Sequence, residues 1–373
     1  MRNALNSTTA MLALAATCLV SAPALAQETC VVLNPAAPST ATGTNALACG
    51  PDADAEGDSA TASGHNSSAA GLEATANGFT TDASGRGATA LGGRSNATNT
   101  FATAVGWANT ASGVNSFAGG NRSAAAGDSS VALGDEATAE GVSATATGHN
   151  ASAAGLEATA NGFTTDASGR GATALGGRSN ATNTFATAVG WANMASGVNS
   201  FAGGNRSVAS GDSSVALGDE ATASGTSSVA LGAGSIAEDD NVVSVGSADN
   251  QRRITNVAAG TSSTDAVNLG QLNAQADYFQ MSLDEQFAAF NQGLAEVEED
   301  SNGGIAAAMA IASIPQATQA GKTSLGAGIA SWRGSSAFSF GGSRAFDGAV
   351  VKFGATFDDN GNGGASAGVG FEF

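Results

Sequence analysis

The chain ends in two runs with a period of two residues, Ala349-Val-Val-Lys-Phe-Gly-Ala-Thr-Phe357 and Ala365-Ser-Ala-Gly-Val-Gly-Phe-Glu-Phe373. Apolar residues alternate with small or polar ones, as in a β-strand with one apolar face. Residues 323–332 and 335–344 follow the same pattern less cleanly. Segments of about ten residues of this kind, separated by turns, are typical of a membrane β-barrel. The sequence thus predicts a four-stranded membrane anchor over residues 302–373. Its apolar face includes Phe353, Phe357, Val369, Phe371 and Phe373.

Four strands are too few to close a barrel, because the smallest known membrane barrels have about eight. An open sheet edge in lipid would leave unpaired backbone groups at high energetic cost. Other chains must therefore complete the barrel. Two chains would give a barrel too narrow to hold helices, whereas three give twelve strands. We therefore expect a homotrimer that contacts membrane lipid.

A heptad pattern occupies the predicted stalk, residues 271–301. Its apolar residues step by three or four positions: Leu272, Ala276, Phe279, Leu283, Phe287, Phe290, Leu294 and Val297. This spacing predicts a coiled coil with one stutter. The alternative, an amphipathic helix on a globular core, lacks a neighbouring core to receive it. A short apolar helix is predicted over residues 304–314, ended by Pro315. Gly303 and Gly304 lie where the two helices would join.

The composition excludes several classes of protein. The 373 residues carry a net charge of -19 and include 52 glycines, so a large globular core is not expected. The acidity argues against nucleic acid as a partner. Residues 1–26 have the pattern of a secretory signal peptide, with cleavage between Ala26 and Gln27. In an oxidising compartment, Cys30 and Cys49 are expected to form a disulfide bond. Free thiols, or a bond between chains, are the alternatives.

Residues 46–246 form one array of pentads such as ATALG and SVALG. Fifteen pentads follow each other at a constant step of 14 residues. A strict short period predicts stacked coils of a solenoid, each with two short strands and two turns. Fifteen coils make a rod of roughly 70 Å at ~4.8 Å per strand. Apolar residues at pentad positions two and four are predicted to point inward, namely Val131, Leu133, Leu175, Val189 and Leu217. Residues 57–140 and 141–224 are near-identical 84-residue copies.

After the repeats come Arg252-Arg-Ile-Thr-Asn-Val-Ala-Ala-Gly260 and Thr264-Asp-Ala-Val-Asn-Leu-Gly-Gln-Leu272. With the pentad array and the C-terminal Phe373, these motifs resemble the YadA-like trimeric autotransporter adhesins. The resemblance implies a mainly β protein: a left-handed parallel β-roll head (46–246), a neck (247–270), a short trimeric coiled-coil stalk (271–301) and a twelve-stranded trimeric membrane β-barrel (302–373). Only the N-terminal tail, residues 27–45, lies outside it.

The same resemblance implies a location in the outer membrane, with the head exposed on the cell surface. The expected partners are outer-membrane lipid, the outer-membrane assembly machinery, and an unknown ligand on host matrix, cells or other bacteria. The C-terminal anchor would serve export and insertion. We find no catalytic constellation, metal site or cofactor motif in the sequence, so we expect neither an enzyme nor a cofactor.

An alternative is a non-adhesive structural or ice-ordering solenoid, suggested by Thr at positions 61, 75, 89 and 103. That Thr file is interrupted by Phe117 and Val131, and its positions are predicted to point inward. For an adhesin, large aromatic residues on turns with arginine nearby have the composition of binding hot spots. These candidates are Trp107, Trp191, Phe79, Phe163, Arg94, Arg122, Arg178 and Arg206. The other interpretation is that the aromatic residues pack between chains and close the trimer.

Overall fold

The structure is a computed structural model that describes residues 28–29 and 38–373. The predicted cleavage site at Ala26 and Gln27 lies outside the described residues, as does Cys30. Contacts divide the chain into two compact units, one up to Arg253 and one from Ile254 onward.

The first unit is a stack of coils with two parallel sheets. We name them the pentad sheet, formed by the pentads together with the N-terminal strand Glu28–Thr29, and the short sheet, formed by the two-residue strands that precede and separate the pentads. The pentad sheet consists of Glu28–Thr29, Leu47–Cys49, Thr61–Ser63, Thr75–Asn77, Thr89–Gly93, Thr103–Trp107, Phe117–Asn121, Val131–Asp135, Thr145–Thr147, Thr159–Asn161, Thr173–Gly177, Thr187–Trp191, Phe201–Asn205, Val215–Leu217, Val229–Leu231 and Val243–Ser244. The short sheet consists of Thr40–Ala41, Asp54–Ala55, Ser68–Ala69, Asp82–Ala83, Asn96–Ala97, Thr110–Ala111, Ala124–Ala125, Thr138–Ala139, Ser152–Ala153, Asp166–Ala167, Asn180–Ala181, Met194–Ala195, Val208–Ala209, Thr222–Ala223 and Ile236–Ala237.

The coils stack in the register set by the repeat. Thr103 pairs with Thr89 on one side and with Phe117 on the other. The space between the two sheets is filled by alanine, for example Ala60, Ala62 and Ala69, which are all inaccessible to solvent. The predicted fifteen-coil parallel solenoid is therefore confirmed.

The predicted inward face of the pentad is wrong. Pentad positions one and three point inward, because only small side chains fit between sheets this close together. Positions two and four face outward, and the residues there are half-buried or exposed except for the glycines Gly119 and Gly203. Leu133 is 40% exposed and Leu217 is 45% exposed. The other residues predicted inward, Val131, Leu175 and Val189, lie on the same outer face and are half-buried. The Thr file at 61, 75, 89 and 103 lies there too.

Asparagine takes one interior position in each copy of the duplication. Asn109 is fully buried. Its Nδ2 donates to the carbonyl oxygens of Val105 at 2.7 Å and Gly120 at 2.8 Å. Its Oδ1 accepts from the backbone N–H of Ser123 at 2.9 Å and from the Ser123 hydroxyl at 2.8 Å. Because every buried polar atom of this amide has a partner, it ties neighbouring coils together without a desolvation penalty.

Two features close the ends of the solenoid. At the C-terminal end, Arg252 donates to the Ser235 hydroxyl at 3.0 Å, to the Val245 carbonyl at 2.7 Å, and to the Ala233 carbonyl. At the N-terminal end, Cys49 is disulfide-bonded. Since Cys30 is not described, the Cys30–Cys49 pairing stays a prediction.

One helix, Leu269–Ala312, dominates the second unit. Asn268 begins it with a capping box: the Asn268 side chain accepts from Gln271 N–H, and the Gln271 side chain accepts from Asn268 N–H. The helix runs through Gly303 and Gly304 without a break, so the predicted stalk and the predicted apolar helix are one element. A Cβ added at Gly303 would lie 2.5 Å from Oδ2 of Asp358. Glycine here thus permits the helix to approach the last turn of the anchor.

The C-terminal sheet has four antiparallel strands in chain order: Thr323–Trp332, Ser335–Phe346, Ala349–Asp358 and Gly363–Phe371. Ala306 and Ala310 of the helix are buried against it, and Lys352 Nζ donates to the Ile314 carbonyl at 3.0 Å. The last strand ends at Phe371, two residues before the predicted end at Phe373, because its partner strand begins at Ala349, opposite Phe371.

The outward face of this sheet is apolar. Phe353, Phe357, Val369 and Phe371 are between 52% and 64% exposed, and Phe373 is fully exposed. Within the described chain, the outer edges of the first and last strands have no partner strand. The described helices include none that is long and apolar enough to cross a membrane.

Candidate functional site

Each coil has two turns, which stack into two edges along the head. We name the column of turns after the pentad glycine the first edge, and the column before each pentad the second edge. Both turns contain a residue with positive φ, such as Ala108 at 56° on the first edge and Phe101 at 54° on the second. The N–H of Ala108 donates to Gly93 at 2.7 Å, and that of Phe101 donates to Arg86 at 2.8 Å. Since these backbone groups bond between coils, the edges offer mainly side chains to a ligand.

The predicted tryptophans lie on the first edge. Trp107 is 50% exposed, and its ring covers Gly93, where a Cβ would overlap with Cζ3 of the indole. The guanidinium carbon of Arg94 is 5.8 Å from the centre of the Trp107 ring, within range of a cation–π contact. The second copy repeats this: Arg178 is 5.6 Å from the Trp191 ring, which covers Gly177. Tryptophan, arginine and glycine thus form one unit, present twice.

The other predicted residues are not all part of that unit. Phe79 lies two coils before Trp107 and stacks on His65 with ring centres 5.4 Å apart. Phe163 stacks in the same way on His149, at 5.3 Å. Arg122 forms an ion pair with Glu136, and Arg206 forms one with Glu220. The first edge is therefore a file of separate contacts, in which Arg94 and Arg178 accompany the tryptophans and the other two arginines pair with carboxylates.

The second edge carries a matching arrangement that was not predicted from the sequence. Phe101 is 50% exposed, and the guanidinium carbon of Arg86 is 5.9 Å from its ring centre. The ring covers Gly87, where a Cβ would lie 2.6 Å from Cδ1 of Phe101. In the second copy, Arg170 is 6.0 Å from the Phe185 ring. The available signal was the symmetry of the sequence: Arg86-Gly87 and Gly93-Arg94 flank one pentad, and Phe101 and Trp107 flank the next.

A bulky side chain with positive φ is uncommon, because Cβ crowds the backbone in this region. Other coils place Asn, Ser, Glu or Gly at the position of Phe101, for example Asn115, Ser129 and Glu73, so an aromatic ring occurs there only in Phe101 and its copy Phe185 among the described coils. Such local strain is a reason to suspect function.

Few groups near these edges have a shifted pKa. Burial raises the pKa of Asp82 and of Asp166 on the short sheet, and side-chain hydrogen bonds from Ser84 and Ser168 partly oppose this. Among the described residues, no group of three or more His, Cys, Asp or Glu side chains is placed to hold a metal ion.

The chain thus combines a solenoid head, a long helix with a heptad seam and a four-stranded sheet with an apolar face, which is the set of parts expected of a protein with a repeat head, a helical stalk and a β-sheet anchor. Family models match all three parts. The YadA head domain repeat matches residues 41–67, 83–109, 98–123, 111–137, 125–151, 139–164, 167–193, 195–221 and 223–248. The coiled stalk of trimeric autotransporter adhesin matches residues 253–293, and the YadA-like membrane anchor domain matches residues 315–373. The head matches alone cover more than half of the chain, which belongs to the YadA-like trimeric autotransporter adhesins.

Similar proteins include the autotransporter adhesin EhaG of Escherichia coli O157:H7, 34% identical over 89 residues, or 24% of this chain and 6% of EhaG. The autotransporter adhesin NhhA of Neisseria meningitidis serogroup B is 32% identical over 123 residues, or 32% of this chain and 19% of NhhA. The chain thus spans less than a fifth of the length of either relative. A crystal structure of the collagen-binding domain of the Yersinia adhesin YadA has 27% identity and a TM-score of 0.27, covering 53% of this chain and 86% of that one.

Proposed function

We propose that this protein is a homotrimeric adhesin of the outer membrane that attaches the cell to host matrix, to host cells or to other bacteria. The observation that carries the proposal is the exposed tryptophan–arginine unit on the first edge, present in both copies of the duplication. Tryptophan and arginine dominate binding hot spots. In a trimer each unit occurs three times, which raises avidity without a new contact. Adhesion of this kind needs no catalytic group.

The outer face of the pentad sheet is the surface on which we expect the heads to associate. Its apolar residues Leu133, Leu217 and Leu231 are between 40% and 46% exposed in the single chain. The interior, filled by alanine, buries little apolar surface per coil. Fully burying a leucine contributes about 1.5–3 kcal/mol, so further copies of the chain would supply the burial that the single coil stack lacks.

The anchor also calls for further copies of the chain. Both outer edges of the four-stranded sheet lack a partner strand in the described chain, and open edges are not tolerated in lipid. Three chains would close a barrel of twelve strands around their helices, with Phe353 and Phe357 facing lipid. The family is trimeric by name. We expect detergent-extracted, unboiled protein to have the mass of a trimer, and the mass of a monomer would refute this architecture.

The tryptophans provide the test of adhesion. In cells that display the protein, we expect the double variant Trp107→Ser/Trp191→Ser to lose adhesion while the head melting temperature stays unchanged. The control is Met194→Thr, which alters an exposed residue to the Thr found at the equivalent position 110 of the other copy. Unaltered adhesion, or a large fall in melting temperature, would assign the tryptophans to packing between chains.

The ice-ordering alternative has one structural observation in its favour, because the Thr file at 61, 75, 89 and 103 points outward. The file is four coils long before Phe117 interrupts it, and it lies on the face we assign to trimer contact. Inhibition of ice recrystallisation by the purified protein at micromolar concentration would support this alternative over adhesion.

A further inference from the structure

The acidic head contains two basic bands. Residues 83–127 hold three arginines and no Asp or Glu, and residues 167–211 repeat this. The whole chain has a net charge of -19, so the positive charge of the head is concentrated in these two segments. They are six coils apart, or roughly 29 Å at ~4.8 Å per strand.

Four of the six band arginines have no carboxylate partner among the described residues. Arg122 and Arg206 form ion pairs with Glu136 and Glu220. The remaining four are exposed, and each lies over a half-exposed aromatic ring on one of the two edges. They are Arg86, Arg94, Arg170 and Arg178. A planar guanidinium on a ring keeps its outward N–H donors available for an anion.

We propose that the two bands bind an anionic polysaccharide through these four arginine–aromatic pairs. This proposal rests on the proposed function, because it names the ligand class of the same surface. The pairs occur on exposed turns, on both edges and in both bands, which suits a long polymer better than a small molecule. Sulfate and carboxylate groups are both acceptors for arginine, and the exposed parts of the rings offer apolar contact to sugar faces.

An acidic polypeptide is the less favoured partner. Extended peptides commonly bind by adding a strand to an open sheet edge. Along both edges of the head, the turn N–H groups already donate to the preceding coil, as Ala108 does to Gly93 and Phe101 does to Arg86. A peptide would therefore find side chains but no open backbone ladder. The overall negative charge does not prevent local binding, because salt screens charges beyond about 8 Å at physiological ionic strength.

The test measures binding of detergent-extracted full-length protein to four immobilised polymers: dextran sulfate, polygalacturonate, neutral dextran and poly-glutamate. We expect binding to dextran sulfate, to polygalacturonate or to both. The comparison shows whether the arginines recognise sulfate groups, carboxylate groups or either. Binding to neither, or equal binding to neutral dextran, would overturn the proposal. Equal binding to poly-glutamate would replace the polysaccharide with an acidic polypeptide.

Variants locate the site. The quadruple substitution of Arg86, Arg94, Arg170 and Arg178 by Gln should weaken binding at least about tenfold, because each trimer loses twelve cations that act together. The matched control Arg122→Gln/Arg206→Gln should change binding less than about twofold, because those charges are already paired. Equal losses in the two variants would refute the assignment to the arginine–aromatic pairs.

A second set of measurements covers misfolding. If the Gln variant does not give the trimer mass expected of unboiled protein, a quadruple Lys variant is used instead. It keeps the charge but lacks the planar guanidinium, so it should bind more weakly than the native protein. Unchanged binding of the Lys variant would refute the proposal. Binding of the native protein that is unaffected by 0.5 M NaCl, where the screening length is roughly 4 Å, would also refute it.

Cell adhesion separates this proposal from the proposed function. If cells that display the protein adhere and dextran sulfate does not inhibit their adhesion, the adhesin function is preserved and the polysaccharide ligand is refuted. If the purified protein binds the polymer but cells that display it do not adhere, the polysaccharide site is supported and the adhesin function is refuted.

Discussion

Replacing Gly106 with alanine tests whether the pentad glycine is what allows neighbouring coils to stack. Gly106 has φ +124°, and an added Cβ would overlap with the carbonyl oxygen of Gly120 in the next coil and lie 2.7 Å from Nδ2 of Asn109. Backbone strain of this kind costs about 1–3 kcal/mol. Loss of the two hydrogen bonds donated by Asn109 costs about 0.5–1.5 kcal/mol each. We therefore expect Gly106→Ala to destabilise its coil by about 2–6 kcal/mol.

The control is Gly234→Ala. Gly234 also has positive φ, +63°, but nothing lies within 4 Å of an added Cβ, and Ala108 already adopts this conformation in the equivalent turn. The expected cost is about 1–2 kcal/mol.

Coils interact chiefly with their neighbours, so the damage should be local. Amide hydrogen exchange of the full-length protein resolves it: protection should fall around residues 92–120 in Gly106→Ala and stay near native there in Gly234→Ala. Equal protection of that segment in the two variants would show that coil spacing does not depend on this glycine.

Three further predictions concern other parts of the molecule. Gly303→Ala should reduce the trimer seen on unboiled gels, because the added Cβ would lie 2.5 Å from Oδ2 of Asp358 and displace the helix. A Cβ added at Gly304 has nothing within 4 Å, so Gly304→Ala should leave the trimer intact; equal effects would contradict this. Burial raises the pKa of Asp82 and Asp166 in the folded head above the ordinary value of 3.8. These two side chains therefore favour folding most below pH 3.8, and this stabilisation is lost as the pH rises through their pKa in the folded head. Asn substitution at both positions should accordingly stabilise the head at neutral pH but not at low pH, as thermal melts at both pH values would reveal. Mass mapping of non-reduced mature protein should find a Cys30–Cys49 peptide, a loop closure that stabilises by about 3 kcal/mol, and free thiols at both positions would exclude it.

The repeat and the anchor strands could be predicted from sequence because both depend on local periodicity. The 14-residue step fixes the register of all the coils, and alternation locates the four anchor strands to within two residues. Hydrophobicity alone could not predict which pentad residues point into the space between the two sheets. Leu133 is more hydrophobic than Ala132, yet its side chain is too large for that space and remains 40% exposed. Burial in this fold follows size first, and the larger apolar residues remain on the outer face, where we propose that chains associate.

Helix continuity and the second edge required three-dimensional contacts. The two glycines at 303–304 predict a weak point on propensity alone, but packing against the anchor sheet holds the helix through them. Phe101 is separated from Arg86 and Gly87 by about one coil in sequence, and only the stacking of coils brings them together. Phe101 also lies before its pentad, whereas the predicted aromatic residues lie directly after the pentad glycine.

The in-register stacking of coils makes the length of the head adjustable in whole steps. A coil presents the same alanine interior and nearly the same backbone donors to either neighbour, so recombination that gains or loses a multiple of 14 residues leaves no mismatched junction. The copy at 141–224 has the form of such a duplication: it adds a second basic band and lengthens the head by roughly 29 Å at ~4.8 Å per coil. Sequence drift is therefore not needed to change the length of the head, because the number of coils sets that length.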